Sequence, residues 1–180
     1  MQVLDVGCGL AKQEGAIGVD THPLPGVDVV HNLEEYPWPF EDDRFDEVLM
    51  HDIIEHLPDT IKTMEECFRI LKPGGLLKIR VVPYNHYYAY SDPTHVKFFT
   101  DLTWKFFTGE WRSYYTPIRF EMVSLTHTFD TMARALFRSE RLMRFLSRYL
   151  WNIIDGMYVI LRKPEDAKGM SVPLLEEQAG

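Results

Sequence analysis

The chain has 180 residues, 46% of them hydrophobic and 26% charged, with a formal net charge of −8. That length supports one domain with its own core. The excess of acid gives no whole-molecule attraction for phosphate backbones, so bulk nucleic-acid binding is not expected. Two cysteines, Cys8 and Cys67, stand in no CxxC or Cys/His cluster. Neither a disulfide framework nor a structural zinc is expected, and a reducing, cytoplasmic setting is. The opening residues lack a secretion pattern and no apolar run reaches about 18 residues, so no membrane span is predicted.

In chain order, Val3–Val6 is a short apolar run stopped by Gly7, which suits a buried central strand. Ala16–Val19 is a second run, closed by Asp20. Val27–Val30, Glu47–Met50 and Leu76–Val82 are three more, each bounded by Gly, Pro or charged residues. Between the last two lies LPDTIKTMEECFRILKPGG, where Ile61, Met64, Phe68 and Leu71 fall at helical spacing. Asp59 is its expected N-cap and Pro73-Gly74-Gly75 its expected stop. Strands alternating with helices predict a mostly parallel sheet. After Pro83 the texture changes: YNHYYAYSDPTH, Tyr84 to His95, reads as a long loop over one face. Asp101–Phe107 predicts a short helix, Ile118–His127 a strand, Phe129–Trp151 one long helix and Gly156–Leu161 a last strand. The expected organisation is one domain over 1–163, with 84–152 as substrate loop and lid region, and a loosely held polar tail over 164–180.

The first turn carries the chemistry. Gly7 and Gly9 let the backbone turn sharply and approach a ligand with no Cβ in the way. Asp20, ending the second strand, is placed to accept hydrogen bonds from two ribose hydroxyls. A nicotinamide dinucleotide would need a third glycine where Lys12 stands, and an acid about twenty residues on. Asp20 comes thirteen residues after Gly7. The turn is wrong for a dinucleotide.

VLDVGCG followed by IGVD resembles the first two motifs of the class I S-adenosylmethionine-dependent methyltransferases. VVHNLEEYPWPFEDDRFDEVLMHDIIEHL is similar to that family's adenine-contacting stretch and the strand and loop after it. FRILKPGGLLKI and DPTHVKFFT continue the resemblance in order, from Val3 to Thr100. It implies an α/β, Rossmann-like methyltransferase fold: a mostly parallel seven-stranded sheet flanked by helices. It also implies S-adenosylmethionine as cofactor and a small-molecule acceptor methylated at oxygen or nitrogen. Asp5, Gly7, Cys8 and Gly9 would cradle the methionyl part, with Cys8 as a packing residue rather than a nucleophile. Asp20 would bind the ribose, Asn32 and Leu33 would lie beside the adenine, and His51, Asp52 and Ile53 would border adenine and methyl group. Lys12 is a candidate partner for the cofactor carboxylate, or else a solvated lysine.

Two departures from the family pattern stand out. The first helix is expected to be shortened to a turn or two, and the helices that family members carry before the first motif are expected either to precede Met1 or to be replaced by cover from elsewhere. The Tyr84–Phe99 loop and the helix from Phe129 are the expected substitute cover. That helix would carry Arg134, Arg138, Arg141, Arg144 and Arg148 at spacings of four, three, three and four. Such a basic stripe points to an anionic substrate or a membrane surface, or to a solvated face salt-bridged to the acidic body.

If the acceptor must lose a proton, His95 is the first candidate base, for its imidazole pKa and its place after the fifth strand. Asp92, Tyr84, His86 and Tyr87 follow. His56, in EHL, reads as a packed histidine. Asp92 and the nearby histidines show no metal-ligand spacing, so no metal is expected. A non-catalytic cofactor-binding protein, or a methyltransferase acting on protein or RNA, are the alternatives.

Overall fold

A computed structural model describes residues 1–111 and 114–167. Seven strands form one sheet: β1 Val3–Val6, β2 Ile17–Asp20, β3 Val29–Val30, β4 Phe45–His51, β5 Leu71–Val81, β6 Glu121–Phe129 and β7 Ile154–Arg162. Their order is β3-β2-β1-β4-β5-β7-β6. The first five are parallel, whereas β7 runs antiparallel to both β5 and β6. The sheet is therefore mostly parallel, as expected, with an antiparallel hairpin at one edge. Because β1 pairs with β2 on one side and β4 on the other, the chain reverses direction across the sheet there. A crevice opens at such a switch point, beyond the carboxyl ends of the strands.

Helix α1, Thr60–Ile70, packs Met64, Cys67, Phe68 and Ile70 into the main core. Asp59 caps it by accepting the Lys62 N–H at 3.0 Å. Its end differs from expectation. The helix stops at Ile70, with Leu71 extended and already paired to Phe45 in the sheet. Pro73-Gly74-Gly75 is instead a bulge: the register jumps from Phe45↔Leu71 to Glu47↔Leu76. Proline has no N–H for the ladder, and a Cβ on Gly75 would lie 2.8 Å from the Lys72 carbonyl oxygen.

The turn after β1 contains no helix at all, one step beyond the shortening expected. The single helix expected over Phe129–Trp151 is two: α3, Thr131–Leu136, and α4, Glu140–Leu146. A short helix α2, Tyr88–Ser91, precedes them in the loop after β5. Asp130 caps α3 through Met132 and Ala133, and Ser139 caps α4 through Leu142. Phe137 between them is extended and packs against a second small core of Phe129, Ala133, Met143, Ile153 and Ile154. The arginine stripe is thereby divided among α3, the link, α4 and the turn beyond. All five arginines are exposed, and none has an ion pair among the described residues. The expected salt bridges to the acidic body are absent there.

This small unit holds the loop after β5. Asn85 donates to the Ser147 carbonyl, Tyr87 N–H donates to Asn152 Oδ1 at 2.8 Å, and Tyr90 packs between Phe98 and Trp151. The two segments expected as cover are thus one tied body.

The tail is anchored at its start. Lys163 is buried, with Nζ 2.6 Å from Asp43 Oδ1 and 2.8 Å from the Leu71 carbonyl. Ala167 joins the main core. The rest of the expected loose tail, residues 168–180, lies outside the described residues. No helix among the described residues is long and apolar enough to cross a membrane.

Candidate functional site

The turn at the carboxyl end of β1 is built by close approaches. Gly7 and Gly9 have φ of +65° and +51°, in the left-handed region that side chains resist. A Cβ on Gly7 would sit 2.4 Å from Ile53 Cγ1, so this glycine lets the β1 and β4 turns touch. A Cβ on Gly9 would meet nothing within 4 Å. Behind them, Gly18 faces Lys12 Cδ and Cys8 Sγ, at 2.6 and 2.7 Å from where its Cβ would stand.

Asp20 is tied to this turn. Its Oδ2 accepts the Gly9 N–H at 3.0 Å and its Oδ1 the His22 N–H at 2.9 Å. A carboxylate offers about four acceptor positions, so the two bonds orient Asp20 and leave capacity on each oxygen. Asp5 is buried and accepts the Gln13 N–H at 2.7 Å through Oδ2 alone. Burial raises its pKa above the usual carboxylate range, offset in part by Gln13, His51 and Lys12. Cys8 is buried, and burial followed by the charges of Asp5 and Asp20 pushes its thiol up. It stays a protonated packing group, as expected.

The other residues expected here have partners of their own or stand at the strand ends. Lys12 pairs with Asp28, Nζ to Oδ2 at 2.8 Å, so its charge already has a partner. The Asn32 amide serves its own turn, accepting the Glu34 N–H and donating to Glu35 Oε1. Leu33 is buried in the main core rather than lining an open face. His51 is exposed at the end of β4. Asp52 follows with φ +52° and forms an ion pair with Arg80, whose Nε is 3.1 Å from Oδ1.

Past Ile53, the 3₁₀ turn Ile54–His56 carries a residue that no spacing or motif singles out. Glu55 is buried and neither carboxylate oxygen has a hydrogen-bond partner. Burial, with the charge of Asp52 acting in the same direction, pushes its pKa up to about 7. Its carbonyl receives the N–H groups of Val96 and Lys97, at 2.9 and 3.0 Å, which staples the DPTH loop onto this turn.

The staple brings together residues far apart in sequence. The His56 and His95 rings meet edge to face with centroids 4.7 Å apart. Thr94 Oγ1 lies 2.8 Å from His56 Nδ1 and 2.6 Å from Asp92 Oδ1. His95 Nδ1 lies 2.9 Å from the Ala89 carbonyl, which can only accept, so Nδ1 carries the proton and Nε2 the lone pair. Burial, and then His95, hold the His56 pKa below the ordinary imidazole value. Tyr84 is not part of this group: its N–H binds the Phe99 carbonyl, and its side chain has no bond to Asp92 or His95 among the described residues. His86 is fully buried, with Nδ1 receiving the Tyr88 N–H. A cavity of about 300 Å³ lies beside the same segment, lined by Ile61, Lys97, Phe98, Phe99, Phe106 and others.

Residues 4–79 match the family model described as a methyltransferase domain. Among curated proteins, a ubiquinone biosynthesis O-methyltransferase of Pseudomonas fluorescens is 35% identical over 95 residues, covering 41% of each chain. Phosphoethanolamine N-methyltransferase 2 of Caenorhabditis elegans is 41% identical over 112 residues, covering 48% of this chain and 24% of that one. The chain spans less than half the length of these relatives. The fold is similar to a SAM-dependent methyltransferase structure from Archaeoglobus fulgidus: TM-score 0.63, 22% identity, 90% of this chain and 86% of that one. Residues 4–79 thus match a methyltransferase domain, and they sit on a seven-stranded sheet with the fold of S-adenosylmethionine-dependent methyltransferase structures.

Proposed function

We propose that the chain binds S-adenosylmethionine in the turn after β1 and transfers its methyl group to an oxygen or nitrogen of a small molecule. The observation that carries this reading is Asp20, locked by Gly9 and His22 yet with acceptor capacity on both oxygens, beside open space at Gly9. A vicinal diol is the ligand such a carboxylate suits. Asp5, buried with one bonded oxygen, fits a cationic ammonium nearby. These residues fit the cofactor: Asp20 would hold the ribose, Asp5 and the Gly7–Gly9 backbone the methionyl part. At Lys12 the cofactor carboxylate would share the ammonium with Asp28, which already accepts from it.

When bound, S-adenosylmethionine supplies an electrophilic methyl group on a sulfonium. The protein's share is then positioning in a dry space, which can lower a barrier by about 7–11 kcal/mol in favourable cases. The aromatic segment from Tyr84 to Phe107 and its cavity supply apolar walls for a small acceptor. The printed names of the relatives, acting in ubiquinone biosynthesis or on phosphoethanolamine, support a small-molecule acceptor.

The test is calorimetric titration with S-adenosylmethionine and its demethylated product, with NAD as control. Binding to both nucleosides and not to NAD is expected. Asp20→Ala should weaken binding about 10- to 100-fold, the loss of hydrogen bonds to a charged acceptor worth about 1.5–3 kcal/mol. Unchanged affinity in Asp20→Ala would remove the ribose assignment. No binding to either nucleoside would overturn the proposed function.

A further inference from the structure

We propose that His56, Asp92 and His95 form a binding site for one divalent first-row transition-metal ion. One ligand atom from each of the three lies within 4.8 Å of the other two. Around a bound ion with ligand distances of about 2.0–2.2 Å, such atoms stand roughly 3–3.5 Å apart. Closure therefore asks the ligand atoms to approach one another by about 1–2 Å at most. All three side chains keep some solvent exposure and have room to move.

The hydrogen bonds around the cluster define its protonation. Thr94 has one hydroxyl proton, and Asp92 Oδ1, at 2.6 Å, can only accept it. Thr94 Oγ1 must therefore accept from His56 Nδ1, which carries that ring's proton. His95 Nδ1 donates to the Ala89 carbonyl. Both imidazoles are thus fixed as Nδ1–H tautomers, each with its lone pair on Nε2. Asp92 Oδ1 is taken by the Thr94 N–H and hydroxyl, which leaves Oδ2 unbonded. A histidine ligand held by an outer acceptor on its other nitrogen, and a carboxylate oriented through its second oxygen, are how proteins prepare metal ligands.

Two imidazoles and one carboxylate suit zinc, cobalt, manganese, iron or nickel better than calcium or magnesium, which favour all-oxygen shells. Three protein ligands leave coordination positions open for water or an oxygen-bearing molecule. Ligation uses the same Nε2 lone pair that proton abstraction would, so His95 acts here as a ligand rather than a base.

The site stands on side-chain geometry alone, and its test needs no methyl transfer. The purified chain, stripped with chelator, is dialysed against zinc chloride without S-adenosylmethionine, and bound zinc is counted per chain. Cobalt substitution then reads the ligand set by its visible absorption. One zinc per chain is expected. His56→Ala and His95→Ala should each weaken binding by at least about 100-fold, and the exposed Asp92→Asn by 10-fold or more. Thr94→Val, which keeps all three ligands but frees their orientation, should weaken it about 10- to 100-fold. His22→Ala should leave it unchanged. Absence of zinc at sub-millimolar concentration, or undiminished binding in the Asp92 and Thr94 variants with native circular dichroism, would overturn the proposal.

Discussion

Gly7 and Gly9 share a backbone conformation but face different surroundings, and that difference can be measured. In Gly7→Ala, the left-handed φ of +65° costs about 1–2 kcal/mol for an L-residue. The new Cβ also lands 2.4 Å from Ile53 Cγ1 and 2.6 Å from Cδ1, and relieving such overlap costs about 1–3 kcal/mol more. The expected total is about 2–5 kcal/mol. Gly9→Ala has a φ of +51° but no atom within 4 Å of its Cβ, so only the first cost applies. Ile53→Ala removes the atoms that Gly7→Ala strikes, although Ile53 Cβ itself remains 3.0 Å away. The Gly7→Ala/Ile53→Ala double variant should be more stable than the sum of its parts by about 1–2 kcal/mol. Equilibrium urea unfolding followed by tryptophan fluorescence measures all four variants. Additivity within about 0.5 kcal/mol would refute the reasoning; it would mean that Gly7 is needed for backbone angle alone, and that the β1 and β4 turns do not touch.

Two further outcomes follow from buried charge. Glu55 has a folded pKa pushed up to about 7 from an ordinary 4.5. The unfolded chain therefore releases this proton first, and stability should fall by about 3 kcal/mol as pH rises from 4.5 to 7, levelling above. Glu55→Gln should flatten that slope in metal-free buffer; an identical slope in wild type and variant would count against Glu55 as its source. Lys163→Ala strands Asp43 and the Leu71 carbonyl and should cost about 3 kcal/mol, the low end for a broken buried pair because Asp43 is partly exposed. A loss below about 1 kcal/mol in urea unfolding would show that the start of the tail is not anchored by this pair.

Where sequence and structure agree, a local demand on the backbone made the feature legible. Val3–Val6 ending on Gly7, and Ile17–Asp20 ending on an acid, are short runs whose neighbours leave few alternatives to a buried parallel strand. Asp20 could be singled out because it ends a strand at a fixed distance from a glycine turn. The break between α3 and α4 could not be seen. No glycine or proline lies between Phe129 and Trp151, the 3.6-residue period runs on through Arg138, and the helices are separated by caps and by the burial of Phe137. Pro73-Gly74-Gly75 was misleading because a bulge and a helix stop use the same residues. Lys12 and Asp28, or His56 and His95, meet only because strands bring distant turns together, and no spacing within one segment encodes that.

The tie between the Tyr84–Phe99 loop and the segment around Ser147–Asn152 has a consequence for how such a chain can diversify. The chain leaves the sheet twice here, after Val81 and after Phe129, and comes back to it through β6 and β7. The two excursions are braced to each other by Asn85, Tyr87 and Tyr90. The first is also fastened to the body, through Val96 and Lys97 on the Glu55 carbonyl and Thr116 on Glu65. A change in one excursion must therefore be matched in the other while those anchors are kept, so the pair can vary only as a unit.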